Sequence, residues 1–281
     1  MTPLIPLEDF WNDVIRKARR GLGLSEEELS RKCDCSTEKI MALEQGALDV
    51  DLLARVSALL GLEEGRVLAL ARSEYHPGAL VLPIGSANGM AMFTSPWSDF
   101  EVHSYLLWDA KTSLAAAFDT GSDVTEMLGF LSTHQFTLTQ ILLTHGHGDH
   151  VFDLDRLVEK TGAKAWIGKR ENVPGAENFE PGREFKLGDL RIEARATWGH
   201  AAGGITYVIH GLEMPVAVVG DALFAGSMGG PMIPYAACLE TNRKEIFSLS
   251  SETLLCPGHG PLTTVALEQA HNPFFPCETG S

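Results

Sequence analysis

Three imidazoles and a carboxylate fall within six positions of this chain, in the stretch Thr144-His145-Gly146-His147-Gly148-Asp149-His150. It follows the apolar run Ile141-Leu142-Leu143, which reads as the end of a buried strand. Two glycines inside the stretch let the backbone turn tightly while the side chains converge. Neutral imidazole and carboxylate are ligands that zinc and other borderline metals accept. Such a chain must fold so that one strand end becomes the floor of a metal site, which narrows the architectures open to it.

The same arrangement of strand, glycine and ligand recurs. Thr197-Trp198-Gly199-His200 follows a strand expected over residues 190–196. Val216-Ala217-Val218-Val219-Gly220-Asp221 places a carboxylate after four apolar residues and a glycine, and Leu254-Leu255-Cys256-Pro257-Gly258-His259 does so with an imidazole. Glycine before a ligand lets backbone approach a crowded site closely. Residues 79–84, 89–94, 102–108, 113–118 and 163–167 also read as strands, and residues 154–160 as a helix. Cys256 lies three residues before His259, on the strand face turned away from the ligand, and is read as core.

In order and spacing, His145-x-His147-x-Asp149-His150 with His200, Asp221 and His259 resembles the metallo-β-lactamase superfamily over about residues 79–281. The stretches Gly220-Asp221-Ala222-Leu223-Phe224-Ala225-Gly226-Ser227 and Pro257-Gly258-His259-Gly260-Pro261-Leu262-Thr263-Thr264, then Asn272-Pro273-Phe274-Phe275, are similar to glyoxalase II and its single-domain relatives. The resemblance implies an α+β fold, the αββα metallo-β-lactamase sandwich, over residues 77–281. It also implies two divalent metal ions, zinc foremost, with iron or manganese as alternatives. His145, His147 and His200 would hold one, Asp149, His150 and His259 the other, and Asp221 would bridge them. A hydroxide held by the metals would attack a small-molecule acyl substrate such as a thioester, with Asp149 orienting it or relaying its proton.

The chain departs from its relatives at two loops. Trp198 and Ala201 stand where relatives usually have Pro and Thr around His200, and Met228-Gly229-Gly230-Pro231 replaces an Arg-Thr-Asp stretch. The C-terminal helical domain with which classical glyoxalase II holds glutathione is not expected here. The resemblance leaves a persulfide dioxygenase or a lactonase as alternative activities. Among the remaining side chains, His103 is expected to support the site, and Tyr207 and Tyr235 are candidate hydrogen-bond donors to substrate. His76, His134, His210 and His271 are read as surface or strand-end residues.

Residues 1–76 read as all helix. Ser25-Glu26-Glu27-Glu28-Leu29 is a capping box, and Ser36 is the expected cap of the helix that follows. Two short capped helices in a five-helix unit resemble the helix-turn-helix domain of Cro-type repressors, which implies a small all-α domain before the sandwich. The base-reading positions would be Thr37, Glu38 and Lys39. DNA and a second copy of the chain are therefore candidate partners, with the metal domain as a sensor. Glu26 stands where that family commonly has Gln, and residues 1–76 hold ten Lys or Arg against fourteen Asp or Glu. Such a domain needs its positive charge grouped to neutralise phosphates, and Arg16, Lys17, Arg19 and Arg20 form the one candidate group.

The formal charge of −15 disfavours passive attraction to nucleic acid or to an anionic membrane. The first residues carry Glu8, Asp9 and Asp13 without an apolar core, so no signal peptide is expected. The five cysteines, Cys33, Cys35, Cys238, Cys256 and Cys277, lack framework spacing and are expected as reduced thiols in a cytoplasm.

Overall fold

The computed structural model describes residues 4–83, 88–230 and 234–276. Five helices come first: α1 (Trp11–Gly21), α2 (Glu26–Lys32), α3 (Thr37–Glu44), α4 (Val50–Leu60) and α5 (Glu64–Ala71). Local chemistry sets their ends. Ser25 Oγ accepts from the Glu28 amide at 3.1 Å while the Glu28 carboxylate accepts from the Ser25 amide at 2.8 Å, closing the expected capping box on α2. Asp49 caps α4 through the Leu52 amide, and Gly61, at φ 69°, ends that helix in the left-handed region.

Two six-stranded sheets follow. The first runs β1 (Asn88–Trp97), β2 (Phe100–Asp109), β3 (Leu114–Phe118), then helix α6 (Thr125–His134), and β4 (Thr137–Leu142). After the short helix α7 (Gly148–Val151) and helix α8 (Leu154–Thr161) it is completed by β5 (Lys164–Gly168) and β6 (Ala176–Phe179). The second sheet contains β7 (Glu184–Leu187), β8 (Leu190–Ala196), β9 (Ile205–His210) and β10 (Val216–Gly220). Helix α9 (Tyr235–Glu245) precedes β11 (Leu254–Pro257) and β12 (Thr263–Thr264), and α10 (Val265–His271) closes the order. Residues 79–83, read as a strand, belong to none; Pro83 serves only as acceptor for the Met90 amide at 2.9 Å. Ile84 lies outside the described residues, as do Pro231 and Cys277.

The alternation of side chains along the second sheet divides the interior. Tyr207, Ile209, Val216, Val218, Leu254 and Cys256 face the first sheet and join Met90, Tyr105, Leu107 and Phe118 in the central core. Val208, Ala217, Val219 and Leu255 face the other way, into a core shared with α9, α10 and the N-terminal helices. α6 and α8 cover the outer face of the first sheet through Met127, Leu131, Leu154 and Leu157. The result is a four-layer arrangement of helix, sheet, sheet and helix, with residues 4–76 built into the outer layer.

Polar contacts seal that junction. The fully buried Glu268 carboxylate accepts from Tyr75 Oη at 2.7 Å, Thr263 Oγ1 at 2.7 Å, the Gly226 amide at 2.9 Å and Asn272 Nδ2 at 2.8 Å. Arg66 donates to the carbonyls of Asn272 and Phe275 at 2.9 and 2.8 Å. Among the described residues, no helix is long and apolar enough to cross a membrane.

Candidate metal centre

The candidate ligands sit beyond strand ends or on the short helix that follows one, where the ladder stops and side chains turn inward. His145 follows β4, Asp149 and His150 lie on α7, His200 follows β8, Asp221 follows β10, and His259 follows β11. β10 and β11 are buried along their whole length and β4 at its C-terminal end, so these ends open onto one shared edge. All seven side chains meet there. The ligand atoms of His145, His147, His200 and Asp221 form one group, each within 4.8 Å of the others, and those of Asp149, His150 and His259 form a second.

Asp221 stands between the groups. Its Oδ2 lies 3.3 Å from His200 Nε2, 3.9 Å from His145 Nε2 and 3.5 Å from His259 Nε2, while Oδ1 lies 3.3 Å from His150 Nε2. Asp149 Oδ2 is 3.2 Å from His259 Nε2 and 3.5 Å from His150 Nε2. Two glycines make this density of ligands possible. Gly220 takes φ 51° with its α-carbon against Thr144, and a Cβ on Gly258 would collide with Asp221 Oδ1 and the His150 ring.

The other nitrogens of the imidazoles are held from outside, which fixes each ring. His259 Nδ1 donates to the Glu101 carbonyl at 2.6 Å, and His200 Nδ1 to the Gly230 carbonyl at 3.1 Å. His150 Nδ1 meets Asp119 Oδ2 at 2.9 Å. Asp119 also accepts from the Thr144 amide and hydroxyl, both at 2.7 Å, and Thr144 Oγ1 lies 3.0 Å from His145 Nδ1. Asp119 thus orients one ligand directly and another through Thr144. It was not singled out in the sequence, where its only signal is its place at the end of the apolar run Leu114–Phe118.

The electrostatics favour a cation. Burial opposes charge on His150 and His259, yet Asp221 and the other carboxylates outweigh it and raise these imidazoles to about 10 and about 11. Burial alone would lift the Asp221 carboxyl, but His150 and His259 hold it well below the usual range. His145 moves the opposite way, its charged form penalised by burial and by His150. His150 Nε2 and Asp221 Oδ1 are buried with no hydrogen-bond partner. Such orphaned donor and acceptor positions, aimed at one another and ringed by imidazoles, fit divalent metal ions.

His103 supports the site as expected. Its ring lies 2.9 Å from both Thr94 Oγ1 and the Gly260 carbonyl, and its amide donates to the Gly258 carbonyl at 2.8 Å. Cys256 is fully buried in the central core. Tyr207 corrects its expectation: it is fully buried between the sheets and donates to the Leu143 carbonyl at 2.8 Å, out of reach of any substrate. Tyr235 is likewise buried, at the start of α9 against Phe274. The four remaining histidines stay clear of the centre: His76 binds the Ile5 carbonyl, His210 pairs with Glu193, His271 stacks on Tyr75, and His134 packs beside Phe130.

Thr37, Glu38 and Lys39 form the first turn of α3, with Glu38 and Lys39 exposed and Thr37 Oγ1 3.2 Å from Ser30 Oγ. The basic group on α1 is largely engaged inside the molecule. Arg19 is buried and bound to Glu44 and Glu26, Arg16 pairs with Asp13, and Lys17 pairs with Asp9. What the sequence reading missed is that this helix faces the metal centre. Glu8, just before α1, lies against Gly260, and burial, ahead of its neighbouring charges, raises its carboxyl to about 7.

The profile of the family described as Metallo-beta-lactamase superfamily matches residues 97–259, more than half of the chain. The chain belongs to the metallo-β-lactamase superfamily. Among its relatives is the hydroxyacylglutathione hydrolase GloC of Haemophilus influenzae, 28% identical over 205 residues, which span 64% of this chain and 95% of the relative. A probable metallo-hydrolase of Streptococcus pyogenes is 29% identical over 199 residues, 61% of this chain and 84% of that protein. The crystal structure of ETHE1 from Myxococcus xanthus superposes with a TM-score of 0.58 at 26% identity, covering 65% of this chain and 83% of that one. This metallo-β-lactamase-fold chain is a hydrolase, and its two clusters of His and Asp are of the kind that hold divalent metal ions in the superfamily.

Proposed function

We propose that this hydrolase cleaves a thioester or a closely related acyl compound, using two divalent metal ions, zinc foremost. The observation that carries the reading is the position of Asp221 between two donor groups, which suits a carboxylate shared by two cations. The hydroxyacylglutathione hydrolase relative supports the substrate class. When bound, metals in this setting supply Lewis acidity, polarising an acyl oxygen and making water acidic near neutral pH.

The residues of the chain supply position. Asp119, Glu101 and Gly230 lock the rings of His150, His259 and His200, so little reorganisation remains when charge develops on the substrate. Without metal the Asp149 carboxyl, though partly desolvated, is held below its usual range by its hydrogen bond with His259, so it would be an anion able to hold a metal and to orient a water at the centre. Phe100, 38% exposed, packs its ring 5.2 Å from His259, and Trp97 packs 5.2 Å from the exposed Phe152. Phe100 thus covers the edge of His259, and Trp97 stands beside Gly148 between His147 and Asp149. In this reading the N-terminal helices serve the enzyme, since Arg16, Lys17 and Arg19 of α1 are spent on internal contacts while Arg20 stays exposed.

Elemental analysis of the purified protein together with a thioester hydrolysis screen tests the reading. Two metal equivalents with hydrolysis, lost in His147→Ala while the circular dichroism spectrum is kept, is the expected result. A single iron with oxygen consumption and no hydrolysis sinks it, as does unchanged turnover in His147→Ala.

A further inference from the structure

The loop after β5 ties two ligand segments together. Glu171 accepts from the Gly203 amide at 2.6 Å, and a Cβ on Gly203 would stand 2.9 Å from the Glu171 nitrogen and 3.1 Å from the Arg170 carbonyl carbon. The same carboxylate lies against Gly146, where a Cβ would be 2.9 Å from Glu171 Oε2. The loop is therefore pinned both to the segment holding His145 and His147 and to the one holding His200.

On this pinned loop the Arg170 guanidinium lies over the indole of Trp198, 3.8 Å from the ring centroid. Trp198 is two residues before His200. Beside the stack opens a cavity of about 180 Å³, walled by Pro181, Ala196, Trp198 and Ile205 and bordered by Lys169 and Glu180. Lys169 and Glu180 neutralise one another as an ion pair. Arg170 has no carboxylate partner among the described residues, although the chain carries a formal charge of −15. On the far side of the stack Lys244 is paired with Glu245 and Glu240 adds a further negative charge, so the side with Pro181 and Ile205 is the one suited to an anion.

We propose that Arg170 and Trp198 form a binding site for a carboxylate carried by the substrate, with the chain leading to it lying in the apolar cavity. A guanidinium accepts a carboxylate through two parallel hydrogen bonds, and stacking on an indole holds its plane ready for them. The site adjoins the metal centre, because Arg170 precedes Glu171, which lies against Gly146 between His145 and His147, and Trp198 stands two residues before His200. This inference rests on the thioester reading and narrows it to anionic substrates.

The test uses the full-length, metal-loaded protein and two pairs of thioesters. One pair is S-acetyl-3-mercaptopropionate and neutral S-acetyl-N-acetylcysteamine. The other is S-succinyl- and S-butanoyl-N-acetylcysteamine. The wild type is expected to prefer the anionic member of at least one pair by about tenfold or more in kcat/KM, as a charged hydrogen bond allows. Arg170→Met should erase that preference through KM, and Arg170→Lys should keep part of it. Equal metal content and melting temperature in Arg170→Met show that folding is not the cause. No anionic preference in the wild type, or one that survives Arg170→Met, overturns the assignment. If no thioester is cleaved, the thioester reading fails separately. Glutarate quenching of tryptophan fluorescence in the wild type, lost in Arg170→Met, then still supports the site, and absence of quenching rejects it.

Discussion

Lys17 of α1 donates to the carbonyl of Met228 at 2.8 Å, joining the first helix of the chain to the loop that leaves Asp221. The same ammonium pairs with Asp9, which accepts from Ser227 Oγ at 2.6 Å, and it lies 5.1 Å from the centroid of the Phe224 ring. Phe224 in turn packs 5.7 Å from His259. Two residues past Met228, the Gly230 carbonyl holds His200, and the Gly229 amide donates to the Asp221 carbonyl at 3.0 Å. Lys17→Met removes the clamp while keeping an apolar stem of similar length. The expected outcome is a fall of about tenfold in kcat/KM with weaker metal retention under chelator, and partial recovery in Lys17→Arg. Kinetics and metal content of the three proteins check it.

Asp119 is the outer partner of His150 and, through Thr144, of His145. Its carboxylate fixes which nitrogen of His150 faces the centre. Asp119→Ala is expected to weaken metal affinity by about 10–100-fold. Competition with a chromophoric chelator measures the change, and unaltered affinity would refute the orienting role.

His103 is held neutral, since burial above all lowers its imidazole from 6.5 to about 4. Between those values the unfolded chain binds a proton that the folded chain refuses, so stability rises with pH across the window and is lost as pH falls from about 6.5 toward 4. The loss from this one group amounts to about 2 kcal/mol by pH 5. His103→Asn removes the titration while leaving polar atoms for Thr94 and Gly260. The gap in stability between wild type and His103→Asn should therefore shift in favour of the variant at pH 5 relative to pH 8. Urea unfolding of metal-stripped protein at the two pH values reads this, and a gap that does not change with pH contradicts it.

Glu268 gathers four donors from four segments into a site with no access to water. Glu268→Leu leaves the Gly226 amide and two hydroxyls buried without an acceptor. A loss of about 3 kcal/mol is expected, and the melting temperature should drop accordingly. Because Tyr75 and Gly226 are both released, the helical layer should loosen first, visible as faster hydrogen exchange in α4 and α5 than in β10.

The candidate ligand set was legible because its members cluster just past apolar strands, and a glycine directly precedes His147, Asp149, His200, Asp221 and His259. His145, His147, Asp149, His150, His200, Asp221 and His259 all converge. The short helix α7 was not foreseen, since its four residues carry no periodicity of their own. Asp119 and Glu171 also escaped notice, as their partners lie many residues away and no local pattern marks them. Tyr207 was misread because a hydroxyl in an apolar strand looks the same in sequence whether it faces substrate or a backbone carbonyl.

By itself the sequence determined the strands that lead into the candidate ligands, the capping box of α2 and the inventory of candidate metal-binding side chains, because these depend on short-range periodicity and hydrogen bonding. Only the tertiary structure decided that the first helix packs on the loop leaving Asp221, and that Asp119 and Glu171 brace the segments holding the candidate ligands. Both outcomes depend on packing between segments distant in the sequence. There the burial of Val208, Ala217, Val219 and Leu255 against a helical layer settles which charged groups come to rest beside one another.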